Sequence, residues 1–329
     1  MKKILIIASN SFTGSHLTHY CLEQGYQVLG ISRSKEYNSV MLPYRYSGDA
    51  ENFSFSQMDI NKDLDKILKL SDEVKPEIIA NYAAQGEVRN SWKYPDQWYE
   101  TNCMGIVRLT EELRKRDYIK KYISASTPEV YGTTEDNLKE SHNYFPSTPY
   151  GASKLAGDLH LFTLFKRYNF PVVFTRSANV YGIHQQLYRI IPKVLYSIFS
   201  NKKFSLHGGG KSIRSFIFTD DFCEGIYKSM IRGRLGEIYN FTNREYISIF
   251  LLVKKIFSLN SSNFKKLVKI TKDRPSKDPA YKMNPGKAER ELGWKPKYTL
   301  EEGLKKTIWW YKSNKKQLLR LKNIYIHKP

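Results

Sequence analysis

The stretch K-I-L-I-I-A-S-N-S-F-T-G, Lys3 to Gly14, decides the fold. Lys3 to Ala8 is a short β-branched apolar run that gives way to small residues, the pattern of a strand buried on both faces of a parallel sheet. The loop Ser9 to Thr13 leads to Gly14 and an apolar helical pattern through Leu17 and Leu22, which Gly25 ends, and Gln27 to Ile31 is a second strand. Strand, turn, helix and strand in this order predict the start of a doubly wound α/β fold.

The alternation continues along the chain. Asp59 and Ile60 end a third short strand, and further strands are expected at Glu77 to Ala83, Lys121 to Ser126 and Val172 to Thr175. Helices are expected from about Trp98 to Arg116 and from Thr148 to about Tyr168. Parallel strands joined by helices present functional residues at their carboxyl ends. After Tyr181 the rhythm loosens: His207 to Gly210 reads as a flexible loop, Ser215 to Thr219 as a strand, Lys272 to Pro296 as a polar stretch, and Leu300 to about Leu321 as a final helix. The chain is therefore divided into a dinucleotide-binding domain, residues 1–180 with about 215–242, and a smaller α/β substrate domain, residues 181–214 with about 243–329.

Composition limits the class of protein. The 329 residues are 41% apolar and 26% charged, as in an ordinary globular chain with a sizeable core. Lys and Arg outnumber the acids 53 to 32, a formal charge of +21, which favours anionic partners. No zinc-finger spacing, RNA-recognition aromatic motif or heptad-linked basic region is present, so nucleic acid is not expected as a partner. Cys21, Cys103 and Cys223 are scattered and odd in number, which predicts reduced thiols and a cytoplasmic location. No apolar run is long enough to span a bilayer.

A dinucleotide-binding turn uses small residues so that the backbone can approach a pyrophosphate at a helix N-terminus. The three positions here are Ala8, Ser11 and Gly14, with Phe12 beside them, and only the last is glycine. About twenty residues on, where an acid would hold the ribose of NAD, stands Ser32-Arg33-Ser34. An arginine there can neutralise a 2′-phosphate, so Arg33 tilts the expectation from NAD towards NADP. Asp59 and Ile60 are candidates to meet the adenine.

T-P-Y-G-A-S-K, Thr148 to Lys154, starts a helix: Thr148 can cap it, and Pro149 suits its first position. Tyr150 and Lys154 then share a helical face, so the ammonium is expected to favour the ionised phenol and make it a base near neutral pH.

With the βαβ start, Ala83 and Ala84 ending a strand, S-T-P-E-V-Y-G at Ser126 to Gly132, and Tyr150 with Lys154, the chain resembles the extended short-chain dehydrogenases/reductases, Rossmann-type enzymes. More closely it resembles the nucleoside-diphosphate-sugar 4,6-dehydratases. N-Y-A-A-Q-G-E-V at Asn81 to Val88 is similar to the GDP-mannose type. T-R-S-A-N-V-Y-G at Thr175 to Gly182 and L-Y-R-I-I-P at Leu187 to Pro192 are similar to the CDP-glucose type. D-R-P-S-K-D-P-A-Y at Asp273 to Tyr281 and E-L-G-W-K-P at Glu291 to Pro296 are similar to the dTDP-glucose type.

The resemblance implies the following chemistry on a nucleoside-diphosphate hexose. Tyr150 removes the proton of the sugar 4-hydroxyl while hydride leaves C4 for NAD or NADP; Thr127 bonds the same oxygen and Lys154 binds the nicotinamide ribose. Glu129 then takes the C5 proton, water leaves from C6, and the stored hydride returns to C6. Gln85, Asn179, Arg189, Arg214 and Arg274 are the implied substrate-binding residues, the arginines suiting diphosphate oxygens. A tightly held cofactor, regenerated each turnover, and a homodimer built on helices near Asn102 and Tyr150 are also implied.

One position departs from the pattern. Between Thr127 and Glu129 the dTDP-glucose type has an Asp that protonates the departing hydroxyl and the GDP-mannose type a Ser, whereas this chain has Pro128, which has no proton to give. Glu129 acting twice, a water, or Glu87 would have to replace it. A 4-epimerase or 4-dehydrogenase on the same scaffold is the alternative that Pro128 raises. Past Glu302 there is no further acid, and Lys305, Lys306, Lys312, Lys315, Lys316, Arg320, Lys322 and Lys328 lie among Trp309, Trp310 and leucines. This helix either docks on an anionic membrane or packs its aromatics on the substrate domain with a solvated basic face.

Overall fold

The computed structural model describes residues 1–134, 137–272 and 280–328. Six strands alternate with helices through the first half: β1 (Lys3–Ile7), β2 (Gln27–Ser32), β3 (Phe53–Gln57), β4 (Ile78–Asn81), β5 (Lys121–Ser126) and β6 (Val172–Ser177). The later strands are β7 (Asn179–Tyr181), β8 (Phe204–His207), β9 (Ile213–Arg214), β10 (Phe216–Phe218), β11 (Ile238–Phe241), β12 (Ile247–Ser248) and β13 (Val268–Thr271). β1 to β6 and β11 form one seven-stranded parallel sheet in the order β3-β2-β1-β4-β5-β6-β11.

The order reverses between β1 and β4, so the chain leaves that edge in opposite directions and opens a crevice beyond their carboxyl ends. Register fixes what lines it. Ile7 pairs with Ile31 and with Asn81, and Ser126 pairs with Arg176, so Ala8, Ser32, Tyr82 and Thr127 emerge along one sheet edge.

Both faces of the sheet are covered. Leu17, Val28, Phe222, Ile226 and Trp294 belong to one buried cluster, and Leu5, Ile79, Ile106, Tyr122 and Leu161 to the other. A further core joins Leu195, Phe204, Leu252, Leu304 and Tyr311, around the pairs β8–β13, β9–β12 and β7–β10.

The predicted elements are recovered with three differences. The segment expected as one helix from Trp98 to Arg116 consists of Pro95–Tyr99, a π-helical turn Glu100–Met104 and Gly105–Leu113. The π turn sits in a closely packed place: a Cβ on Gly157 would lie 2.4 Å from the Asn102 carbonyl, and one on Gly105 2.5 Å from the Asn61 side-chain oxygen Oδ1. Second, the loop at His207–Gly210 holds a 3₁₀ turn, Gly208–Gly210. Third, the final helix stops at Ser313, followed by the short Lys315–Leu318. Its apolar side, with Leu304, Ile308, Trp310 and Tyr311, is buried in the further core, while Lys305 pairs with Glu301 and Lys306 faces Asp220. Among the described residues, no helix is long and apolar enough to cross a membrane.

Candidate active site

The turn after β1 is built by hydrogen bonds that pin it to β2. Ala8 N and Ser9 N both donate to the Ile31 carbonyl, at 2.7 and 3.1 Å, and Ser11 Oγ caps the helix Phe12–Glu23 by accepting from Gly14 N at 3.1 Å. Asn10 donates to the Ser34 and Lys35 carbonyls and, through its backbone, to Ser32 Oγ. Gly14 is obligatory, because a Cβ there would lie 2.2 Å from the Ala8 carbonyl oxygen. Ala8 takes the left-handed φ of +64° where glycine is the usual residue. The backbone therefore keeps the cradle of a pyrophosphate site at the helix N-terminus, and the residues present fit a dinucleotide. Phe12 is buried edge-on against His16, at 5.2 Å.

At the end of β2, Arg33 Nη1 donates to the Lys328 carbonyl at 3.2 Å. Asp59 lies past the end of β3, where its Oδ1 accepts from Asn61 N at 2.9 Å. Ile60 is a core residue, in the cluster with Ile106. Beyond β4, Ala83 N donates to Asn81 Oδ1 at 2.9 Å, Ala84 is exposed, and buried Gln85 donates through its side chain to the Lys328 carbonyl at 2.7 Å. Glu87 caps the short helix Val88–Ser91, its Oε2 accepting from Asn90 N at 2.9 Å.

The end of β5 supplies the other half of the site. Thr127 Oγ1 accepts from Glu129 N at 3.3 Å and caps the turn Pro128–Tyr131. Pro128 occupies the first position of that turn, where a missing N–H costs nothing. The helix Pro149–Tyr168 starts at the Thr148 cap as expected, with Gly151 N donating to Thr148 Oγ1 at 3.0 Å. Tyr150 thereby meets Thr127 and Glu129.

The phenol of Tyr150 is held above its ordinary pKa, first by burial and then by the Glu129 carboxylate; a hydrogen bond with Thr127 and the charge of Arg189 act in the opposite sense. Lys154 is buried and points its ammonium at the Ala125 carbonyl, 2.8 Å away. Burial lowers its pKa and Asp158, one turn further along the helix, partly restores it. In this arrangement the Lys154 ammonium bonds the end of β5. The groups that pull the phenol down are Thr127 and Arg189.

The substrate-facing candidates fall into two groups. Asn179 at the start of β7 donates to the Ser215 carbonyl at 3.2 Å and accepts from Tyr281 OH at 3.3 Å, while the Arg214 guanidinium lies over the Tyr281 ring at 4.4 Å. Arg189 precedes the helix Ile190–Ser200, with its guanidinium 5.2 Å from the Tyr188 ring. Arg274 lies outside the described residues.

Three buried polar residues were given no role at the site by the sequence: Asn102, named only for a dimer helix, Arg176, read only as part of a motif, and Asp158. Asn102, on the π turn, accepts from Gln85 N at 2.8 Å and donates to the Gln85 carbonyl at 3.1 Å and to Ser153 Oγ at 3.0 Å. It ties the β4 loop to the Tyr150 helix. Arg176 and Asp158 form an ion pair beneath the Thr127 turn, at 3.4 Å, with Ser126 Oγ donating to the same Asp158 oxygen. Polar residues inside apolar runs were the only signal for any of the three.

The fold, the glycine-gated turn after β1 and the Thr127, Tyr150 and Lys154 grouping define a nicotinamide-dinucleotide enzyme of the extended short-chain dehydrogenase/reductase class. The family model for GDP-mannose 4,6 dehydratase matches residues 5–307, and the chain belongs to that family of nucleotide-sugar dehydratases and epimerases. It is similar to the human dTDP-D-glucose 4,6-dehydratase, with 32% identity over 324 residues, covering 95% of this chain and 91% of that one. Among solved structures it is similar to the dTDP-glucose 4,6-dehydratase of Bacillus anthracis in complex with NAD, with a TM-score of 0.87 and 29% identity over 98% of this chain and 100% of that one. The Streptomyces venezuelae dTDP-glucose 4,6-dehydratase with NAD and TDP bound gives a TM-score of 0.89 at 27% identity, over 97% and 100%.

Proposed function

We propose that this chain is a nucleoside-diphosphate-hexose 4,6-dehydratase that makes a 4-keto-6-deoxy sugar nucleotide. The observation that carries the reading is Glu129 placed against Tyr150, with Thr127 bonded to both the turn and the phenol. An oxidoreductase confined to C4 needs the phenol and the threonine but has no use for a carboxylate beside them. Elimination across C5 and C6 needs a second base, and Glu129 is in reach to serve.

A nicotinamide bound at the sheet edge supplies a reversible hydride store. Tyr150 removes the proton from the sugar 4-hydroxyl, with Thr127 orienting that oxygen. Lys154 holds the nicotinamide ribose. The resulting 4-ketone acidifies the C5 proton, which Glu129 accepts as hydroxide leaves C6 and is protonated to water; the 4-keto-5,6-ene so formed takes the stored hydride back at C6 and a proton at C5. Asn179, Arg214 and Arg189 hold the diphosphate, with Gln85 beside the sugar, and Arg274 is proposed as a further diphosphate ligand. Among the cofactors, NAD is supported by the related structures that carry it; they give no support to the preference for NADP read from Arg33. Residues 1–180 with about 215–242 are assigned to the cofactor and the remainder to the sugar nucleotide, and a homodimer on the helices near Asn102 and Tyr150, in the cytoplasm, completes the reading.

Pro128 favours a second reading, a 4-epimerase or 4-dehydrogenase, since it cannot protonate a leaving hydroxyl. Incubating the purified protein with GDP-, CDP-, dTDP- and UDP-hexoses and weighing the products separates the two. Loss of one water establishes dehydration. An altered sugar of unchanged mass, or one lighter by two hydrogens, overturns it.

A further inference from the structure

The last described residues run along the open edge of the site. Tyr325 packs edge-on against Tyr188 at 5.2 Å, with Glu87, Arg33 and Arg189 near enough to act on its phenol. His327 stacks with Tyr94 at 5.1 Å and with Trp98 at 5.4 Å, and its Nε2 is 2.6 Å from Gln97 Oε1. The Lys328 carbonyl accepts from Gln85 Nε2 at 2.7 Å and from Arg33 Nη1 at 3.2 Å, and the Lys328 ammonium donates to Ser34 Oγ at 2.6 Å. Ile324 and Ile326 are 63% and 55% exposed while Tyr325 and His327 are half-buried, so alternate side chains of this irregular segment face the protein.

The segment starts beside Tyr188 and Arg189, next to Tyr150, and finishes at Arg33 and Ser34, past the end of β2. In a doubly wound fold the adenosine ribose lies at the end of the second strand and the dinucleotide runs from there to the catalytic strand. Residues 325–328 run between groups at the two ends of that crevice, from Tyr188 to Arg33 and Ser34, with Gln85 between them. They lie beyond residue 307, where the family match ends, so the family pattern says nothing of them.

We propose that Tyr325–Lys328 is part of the dinucleotide site, a strap across the carboxyl edge of the sheet that slows cofactor release. Its Lys328 carbonyl accepts from both Arg33 and Gln85, which lie past the ends of the two strands flanking β1. For an enzyme that takes back its hydride in every cycle, release of the oxidised cofactor is a loss rather than a step, and a strap suits that chemistry. The inference rests on the reading of this edge as the cofactor site.

The test is the dissociation rate of bound NADH, followed by its fluorescence on dilution into excess NAD, for the full-length protein, a chain ending at Asn323, and His327→Ala. The shortened chain keeps the buried Leu318 and so the packing of the final helix. Dissociation at least tenfold faster from the shortened chain, and several-fold faster from His327→Ala, is expected, with unchanged far-UV circular dichroism. Equal rates in all three overturn the strap while leaving the cofactor site intact. Slower release from the shortened chain also overturns it, because the segment would then compete for the site rather than cover it. Absence of dinucleotide binding to the full-length protein removes the cofactor reading itself.

Discussion

Asp158 Oδ2 lies 3.4 Å from Arg176 Nη2, both side chains almost wholly buried under the turn that carries Thr127 and Glu129. Arg176 also lies 4.5 Å from the Tyr131 ring and donates to Tyr144 OH at 3.2 Å, but Asp158 is its one anionic partner among the described contacts. Asp158, by contrast, also acts on Lys154. Breaking a buried pair strands the charge left behind, at a cost of roughly 3–5 kcal/mol. Asp158→Ala should carry that full cost, since Arg176 is left with tyrosines only. Arg176→Met should cost clearly less, because the charge of Lys154 still acts on the carboxylate and Ser126 still donates to it. Urea unfolding of both variants checks the asymmetry, and equal losses would show that Lys154 does not share the carboxylate.

Glu129 raises the pKa of Tyr150, so neutralising it should lower that pKa. A base with a lower pKa reaches its ionised form at lower pH. In Glu129→Gln the pH profile of C4 oxidation, read as reduced nicotinamide at 340 nm in a single turnover, should therefore move to the acid side. Solvent deuterium should no longer enter C5 in the same variant. Tyr150→Phe should abolish the 340 nm signal and leave cofactor binding in place. A profile that stays fixed in Glu129→Gln would mean the two groups are uncoupled during the reaction.

The parts of this site legible in the sequence are those that local chemistry dictates. The β1 apolar run, the Ser11 and Thr148 caps and the i, i+4 pairing of Tyr150 with Lys154 follow from residue types at fixed spacing. What spacing could not give is which partner wins. Lys154 can reach either the phenol or the end of β5, and the Ala125 carbonyl takes it. The run Trp98–Arg116 has a continuous helical pattern, which gives no sign of the π turn that lies where Gly157 approaches the Asn102 backbone. Contacts such as Gln85 with Lys328 join residues 243 positions apart and leave no periodic trace.

The turn after β1 separates two effects that the glycine pattern usually combines. At Gly14 a side chain is excluded by the Ala8 carbonyl, so Gly14→Ala should shift the turn and weaken dinucleotide binding at least tenfold in a fluorescence titration. At Ala8 the constraint is backbone conformation, since a left-handed φ costs an L-residue roughly 1–2 kcal/mol. Glycine there loses part of that gain through the greater freedom of its unfolded chain, roughly 0.4–1 kcal/mol. Ala8→Gly should thus raise stability by about 0.5–1 kcal/mol and leave cofactor affinity within twofold. A destabilised Ala8→Gly variant would mean that the alanine methyl contributes packing that outweighs the backbone relief.

Pro128 costs the fold nothing, since Thr127 already caps the turn in which it takes the first position. Its ring is buried, so a polar replacement should lower stability as well as change chemistry. Pro128→Asp places an ionisable group in the turn between Thr127 and Glu129, where a leaving hydroxyl could take its proton. If proton delivery limits elimination, this variant should raise the yield of dehydrated sugar per C4 oxidation by several-fold, with a melting temperature below that of the parent because a carboxyl replaces a buried ring. Pro128→Asn, of similar size but without a transferable proton, should give no such rise. Equal behaviour of the Asp and Asn variants would show that the acid lies elsewhere, with Glu129 returning the proton it took from C5 the simplest remaining donor.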